Sequence, residues 1–113
     1  MTSQMNSDDV HSQDPESFSA TEEGVLQREL KIINKKGLHA RATAKLVQCI
    51  EGFDANVTVS RAGETVGGTS IMGILTLGAA QGSTILVAAK GPAAEDALAA
   101  VEALVARRFG EDE

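Results

Sequence analysis

From Val25 onward the apolar residues switch repeatedly between two spacings, and that alternation limits what this chain can fold into. Leu26, Leu30 and Ile32 recur at even spacing, with Gln27, Glu29 and Lys31 between them and Arg28 breaking the apolar face once. Period two predicts a strand with one side in the core. Residues 40–51 change to helical spacing: Ala40, Ala44, Val47 and Ile50 or Glu51 share a stripe that Thr43 and Leu46 widen, and Gly52 supplies a stop. Ala55, Val57 and Val59 alternate again. Arg61-Ala62-Gly63-Glu64 reads as a hairpin turn, and Thr65-Val66 begin a short return strand.

Ser70 to about Leu77, with helical spacing at Ile71, Ile74, Leu75 and Gly78, predicts a short helix with Thr69 or Ser70 near its N-cap. Thr84–Ala89 is apolar on both faces, as a central strand would be. After Gly91-Pro92 the residues Ala94, Ala97, Leu98, Val101, Leu104 and Val105 form one helical stripe. Pro92 suits the first turn of that helix, Glu95 and Asp96 its positive end, Arg107 and Arg108 its last turn, and Gly110 its end. The order strand, helix, strand, strand, helix, strand, helix predicts an α+β two-layer fold. Four mostly antiparallel strands would be covered on one face by three helices.

Composition narrows the possibilities further. At 113 residues the chain has room for one domain, and with three Phe and no Trp or Tyr its core must be aliphatic. A single cysteine, Cys49, excludes an internal disulfide and a cysteine-rich zinc site. Within its predicted helix it reads as a small packed residue rather than a nucleophile. No apolar stretch approaches a membrane span, and no basic, apolar leader opens the chain. A soluble, reducing, cytoplasmic protein is expected. The net charge of −6 resides in residues 1–24, which carry six acids and no Lys or Arg. That segment, with His11 in it, reads as a disordered acidic tail, and residues 25–113 as the folded domain.

The chemistry concentrates at His39, the only histidine of the predicted domain. It stands directly before a helix, where the backbone N–H groups of Ala40 and Arg41 lack helical acceptors and the dipole favours an anion. The Arg41 guanidinium can grip a phosphate through paired hydrogen bonds. Between Arg28 and Lys45 six bases face one acid, Glu29, so this region would attract acidic partners. Imidazole is a competent nucleophile near neutral pH, and its attack on an activated phosphoryl group needs no metal on this chain. An ordinary cap, or an anion or RNA site, fits the same spacing.

The run Gly37-Leu38-His39-Ala40-Arg41 resembles the active-site signature of the histidine-containing phosphocarrier family HPr, of the phosphoenolpyruvate-dependent phosphotransferase system. About thirty residues on, Ser70-Ile71-Met72-Gly73-Ile74-Leu75-Thr76-Leu77-Gly78 resembles that family's regulatory-serine segment. The resemblance extends from about residue 25 to about 110 and implies the open-faced β-sandwich of HPr. It implies that His39 is phosphorylated on Nδ1 by the phosphohistidine of Enzyme I, passing the group to a histidine of an EIIA-type protein. Arg41 would hold the phosphoryl oxygens. Ser70 would be the target of an HPr kinase/phosphatase, and Ile71, Met72 and Leu75 the apolar docking patch, with Ile74 and Leu77 facing inward. No cofactor or metal is implied, and a monomer is expected.

Three positions depart from the family pattern. Ala42 replaces the usual Pro after the Arg, Lys36 stands where Asn or Ser is common, and Thr69 replaces the common Lys before the serine. Together with the acidic tail, Ala42 inclines the reading toward a regulatory, nitrogen-related branch rather than sugar transport.

Two other functions compete with this one. One is a regulatory binding module of the same fold that acts through Ser70 and its patch without transferring phosphate; the presence of both His39 and Arg41 opposes it. The other is a nucleic-acid-binding domain, which the near absence of aromatic stacking residues opposes. A helical histidine-phosphotransfer domain is excluded by the strands.

Overall fold

The computed structural model describes residues 24–112. The acidic stretch read as a tail therefore lies outside the described residues, apart from Gly24, and so do His11 and Glu113. Four strands form one sheet: β1 (Leu26–Lys31), β2 (Asn56–Arg61), β3 (Glu64–Gly67) and β4 (Thr84–Lys90). Three helices alternate with them: α1 (Ala40–Glu51), α2 (Ile71–Thr76) and α3 (Ala94–Ala106). The spatial order is β1-β4-β2-β3, and every pairing is antiparallel. The doubly apolar strand is thus interior, as its composition required, because β4 has neighbours on both edges.

Leu30, Ile85, Val87, Ala89, Val57 and Val59 occupy one face of the sheet and are all buried. They meet the helical stripes of Leu46, Val47 and Ile50 on α1 and Leu98, Val101 and Val105 on α3. β2 turns into β3 through Ala62 and Gly63, both at positive φ (53° and 85°). That backbone twist suits a two-residue hairpin.

Several local expectations shift. Leu26 sits at the outer end of the edge strand β1 and remains 39% exposed, with only one strand beside it. Arg28 interrupts the apolar face because it reaches Glu102 on α3, at 3.9 Å. On α1 the buried stripe is Ala42, Thr43, Leu46, Val47 and Ile50, whereas Ala40 is exposed. The helix opens at the protein surface, so its first residue has nothing to pack on. Pro92 precedes the α3 cap, Ala93, instead of lying in the first turn.

The largest change is at the end of α3. The helix stops at Ala106 with Arg107 as its cap, so neither arginine lies in its last turn. Arg108, Phe109 and Gly110 all take positive φ, 58°, 56° and 80°. The hook buries Phe109 completely, and the Lys45 Nζ donates to its carbonyl at 2.7 Å. Two left-handed non-glycine residues cost about 1–2 kcal/mol each. Burial of a phenylalanine contributes about 1.5–3 kcal/mol and a charged hydrogen bond about 1.5–3 kcal/mol, so the hook is affordable.

Candidate functional site

The loop between β1 and α1 carries the site. Gly37 has φ +67°, and a Cβ there would lie 2.6 Å from the Ala79 carbonyl oxygen and 2.8 Å from the Ala80 Cα. Only glycine permits both the left-handed turn and this approach. Leu38 N–H then donates to the Ala79 carbonyl at 2.8 Å, which ties the loop to the segment after α2. Leu38 is buried, so the next residue is delivered to the surface at the start of α1.

That residue is His39, the N-cap of α1, with extended backbone (φ −76°, ψ 179°). Its carbonyl accepts the first helical hydrogen bond, from Thr43 N–H at 2.9 Å. Its side chain caps the helix as well: Nδ1 accepts from the Arg41 N–H at 3.3 Å. On the other side of the ring, Nε2 lies 2.5 Å from the Glu111 Oε2. Glu111 arrives from the hook after α3, and its second oxygen accepts from the Asn34 Nδ2 at 2.9 Å. The same Asn34 amide donates to the Gly37 carbonyl at 2.9 Å, and Asn34 is fully buried.

These partners assign the tautomer. An ionised carboxylate only accepts, so Nε2 carries the proton; the Arg41 N–H only donates, so Nδ1 carries the lone pair. Both neighbours demand the same form. The Nδ1 lone pair therefore faces the positive end of α1. The Glu111 carboxyl is held below its ordinary value, first by the Asn34 amide and next by His39, with the Lys36 charge contributing in the same direction. Lys35, Lys36, Arg41, Glu111 and Asp112 line a shallow recess of about 260 Å³ there. Its three cations outnumber its two carboxylates, and with Glu111 engaged by Asn34 and His39 the rim favours an anion.

The second predicted site lies on α2. Ser70 caps this helix, its Oγ accepting from the Gly73 N–H at 3.0 Å. Met72 is 70% exposed and Ile71 42%, Leu75 is half-buried, and Ile74 and Leu77 are buried. The division between outward and inward residues on α2 is the expected one. α2 packs against α1 and β3. Cys49 is half-buried, and burial pushes its thiol up against the opposing charge of Arg107, so it is a poor nucleophile. Among the described residues no group of three or more His, Cys, Asp or Glu could hold a metal ion, and no helix is long and apolar enough to cross a membrane.

Sequence reasoning missed Asn34 and Glu111. Glu111 is 72 residues from His39 and 77 from Asn34, and no local pattern links them. The Phe-Gly pair before Glu111 was the only available signal, since an isolated aromatic beyond a helix end must pack somewhere.

The family model described as the PTS HPr component phosphorylation site matches residues 26–107. The phosphocarrier protein HPr of Cupriavidus necator is 49% identical over 89 residues, 79% of this chain and 100% of that protein. The phosphocarrier protein NPr of Escherichia coli is 41% identical over 88 residues, 77% of this chain and 98% of that protein. Among solved structures, HPr-C-His from Thermoanaerobacter tengcongensis superposes with a TM-score of 0.75 at 36% identity, covering 78% of this chain and 99% of that one. A capping histidine with its lone pair turned to a helix start, within a sheet and helices matched over nearly the whole length of these relatives, has one family assignment: the chain belongs to the HPr/NPr phosphocarrier family of the phosphotransferase system.

Proposed function

We propose that His39 accepts a phosphoryl group on Nδ1 from the phosphohistidine of an Enzyme I-type donor and passes it to a histidine of an EIIA-type protein. The observation that carries this reading is the pinned ring: Glu111 at Nε2 leaves Nδ1 as the nitrogen with a lone pair. That pair attacks phosphorus, forming the new N–P bond. The donor's N–P bond breaks, and its electrons return to the donor imidazole. The Arg41 N–H that capped Nδ1 is then available to a phosphoryl oxygen, together with the Ala40 N–H and the Arg41 guanidinium. Catalysis by this chain amounts to placement and charge stabilisation, with the same histidine consumed and regenerated.

Ile71, Met72 and Leu75 form the docking patch for donor and acceptor in this reading. Ser70, at the edge of the patch, is a regulatory phosphorylation site for an HPr kinase/phosphatase. A double negative charge there would repel an acidic partner and oppose desolvation of the apolar contact. The carrier acts as a cytoplasmic monomer that visits its partners in turn. The acidic stretch before residue 24 and Ala42 favour the regulatory, nitrogen-related branch.

The test is phosphoryl transfer itself. The protein is incubated with phosphoenolpyruvate, Mg²⁺ and Enzyme I, and intact mass is recorded before and after mild acid, beside His39→Ala. An acid-labile gain of one phosphoryl group that the variant lacks is expected. No gain with a cognate Enzyme I overturns the reading. Offering the phosphorylated protein to EIIA proteins of the sugar and nitrogen branches then identifies the branch.

A further inference from the structure

Resting on the phosphocarrier reading, we infer that Glu111 is a positioning residue: it holds His39 in the Nε2–H form and remains the counter-ion of the ring while Nδ1 carries the phosphoryl group. Transfer to a neutral imidazole bearing its proton on Nε2 produces a phosphoryl-imidazolium, because that proton does not leave. The ring becomes cationic, and the carboxylate 2.5 Å away is the group that meets the new charge. When the phosphoryl group departs to the acceptor, the N–P electrons return to Nδ1 and the ring is neutral again. No proton need move to or from this chain in either direction.

The carboxylate is placed by construction rather than by chance proximity of a chain end. Phe109 is completely buried and three successive left-handed residues turn the backbone, after which the Glu111 N–H donates to the Arg108 carbonyl at 2.9 Å. Asn34 completes the clamp. Its Nδ2 donates both to Glu111 and to the Gly37 carbonyl, two residues before His39, so one buried amide joins the carboxylate to the histidine loop. Its Oδ1 is buried without a protein partner among the described residues. A buried polar atom left in that state has a cost, and the fold accepts it to keep the amide N–H groups on these two oxygens. The other charged groups around the recess are Lys35, Lys36, Arg41 and Asp112.

The arrangement makes an unusual forecast for the isosteric variant. In Glu111→Gln, the Asn34 N–H captures the new amide oxygen, and the amide NH₂ is left facing Nε2. A donor there favours the wrong tautomer, with the proton on Nδ1. Glu111→Ala leaves Nε2 to water, which accepts as readily as it donates. Gln is therefore the more damaging replacement: the transfer rate from Enzyme I falls roughly ten- to a hundredfold in Gln and severalfold in Ala. A merely structural role predicts the opposite order, since Gln keeps the shape of Glu.

Two readouts decide the question: rapid-mixing phosphotransfer kinetics of the full chain, and ¹⁵N spectra of the neutral His39 ring. Expected are a protonated Nε2 in the unaltered protein, a shift of the proton toward Nδ1 in Glu111→Gln, and the rate order Glu, Ala, Gln. Equal rates for all three, Gln faster than Ala, or ring spectra unaffected by either change would overturn the inference while leaving the carrier reading intact. An unaltered protein that takes no phosphoryl group overturns the carrier reading and the transfer role of Glu111 together, and the ring spectra still report on the tautomer.

Discussion

The two helix starts, at His39 and at Ser70, are built alike and equipped differently. Each cap has an extended backbone, and each offers a side-chain acceptor to a backbone N–H of the first turn, Arg41 in one case and Gly73 in the other. Ser70 is the better cap: its hydroxyl oxygen accepts at 3.0 Å, whereas the His39 nitrogen accepts at 3.3 Å. Around Ser70 stand exposed Ile71 and Met72; around His39 stand a carboxylate on Nε2 and a recess rimmed by Lys35, Lys36 and Arg41. A helix start by itself is thus not chemistry. The His39 ring is oriented within the fold and its tautomer assigned, which is what the proposed reaction with a donor's activated phosphoryl group requires. The Ser70 hydroxyl has no such neighbours, so its proposed phosphorylation is assigned to an external kinase.

The contrast can be broken most decisively at His39. His39→Ala is expected to abolish the acid-labile mass gain, while loss of the cap costs only about 1 kcal/mol of stability. A residual phosphohistidine in that variant would place the nucleophile elsewhere. Arg41→Ala comes next, with transfer lowered about a hundredfold in rapid-mixing assays and the helix retained. A loss below about threefold would remove the guanidinium from the phosphoryl site.

Paired changes at Ser70 sharpen the comparison from the other side. Asp is as good an N-cap as Ser, so Ser70→Asp should preserve the melting temperature yet weaken donor docking about tenfold, measured as the KM of Enzyme I for this protein. Ser70→Ala should lose about 1 kcal/mol, a fall of roughly 4–8 °C in melting temperature. Equal docking of the Asp variant and the unaltered protein would separate the patch from the serine.

The smallest effect concerns pH. The Glu111 carboxyl is lower in the folded protein than its ordinary value, chiefly through the Asn34 amide. Its contribution to stability is therefore fully present above the ordinary carboxylate value, about 4.3, and is lost as pH falls through the lowered folded value. The melting-temperature gap between the unaltered protein and Glu111→Ala should be constant near neutrality and shrink below about pH 4. A gap that stays constant down to pH 2 would mean that the ionised form is not what the clamp holds.

Much of this molecule is local and was therefore readable from the chain. The α1 span of 40–51, the interior placement of β4 and the hairpin at Ala62-Gly63 follow from spacing over a few residues, whereas outward Ile71 and Met72 on α2 were implied by the family resemblance. His39 as a cap is also local, because capping is decided between neighbours in sequence. The end of α3 departs from its local pattern for a related reason. Arg107 and Arg108 suit a last turn by charge, but completing that turn would leave Phe109 without its place in the core.

What the sequence alone determined, then, is the set of elements and the place of His39 at a helix start. Only the tertiary structure decided which nitrogen of His39 is free, because that depends on Asn34 and Glu111, 77 residues apart and joined by one amide hydrogen bond. Periodicity and capping act over one or two turns of chain. A hydrogen bond between distant residues exists only once packing of Phe109 and the loop at Gly37 has brought them together.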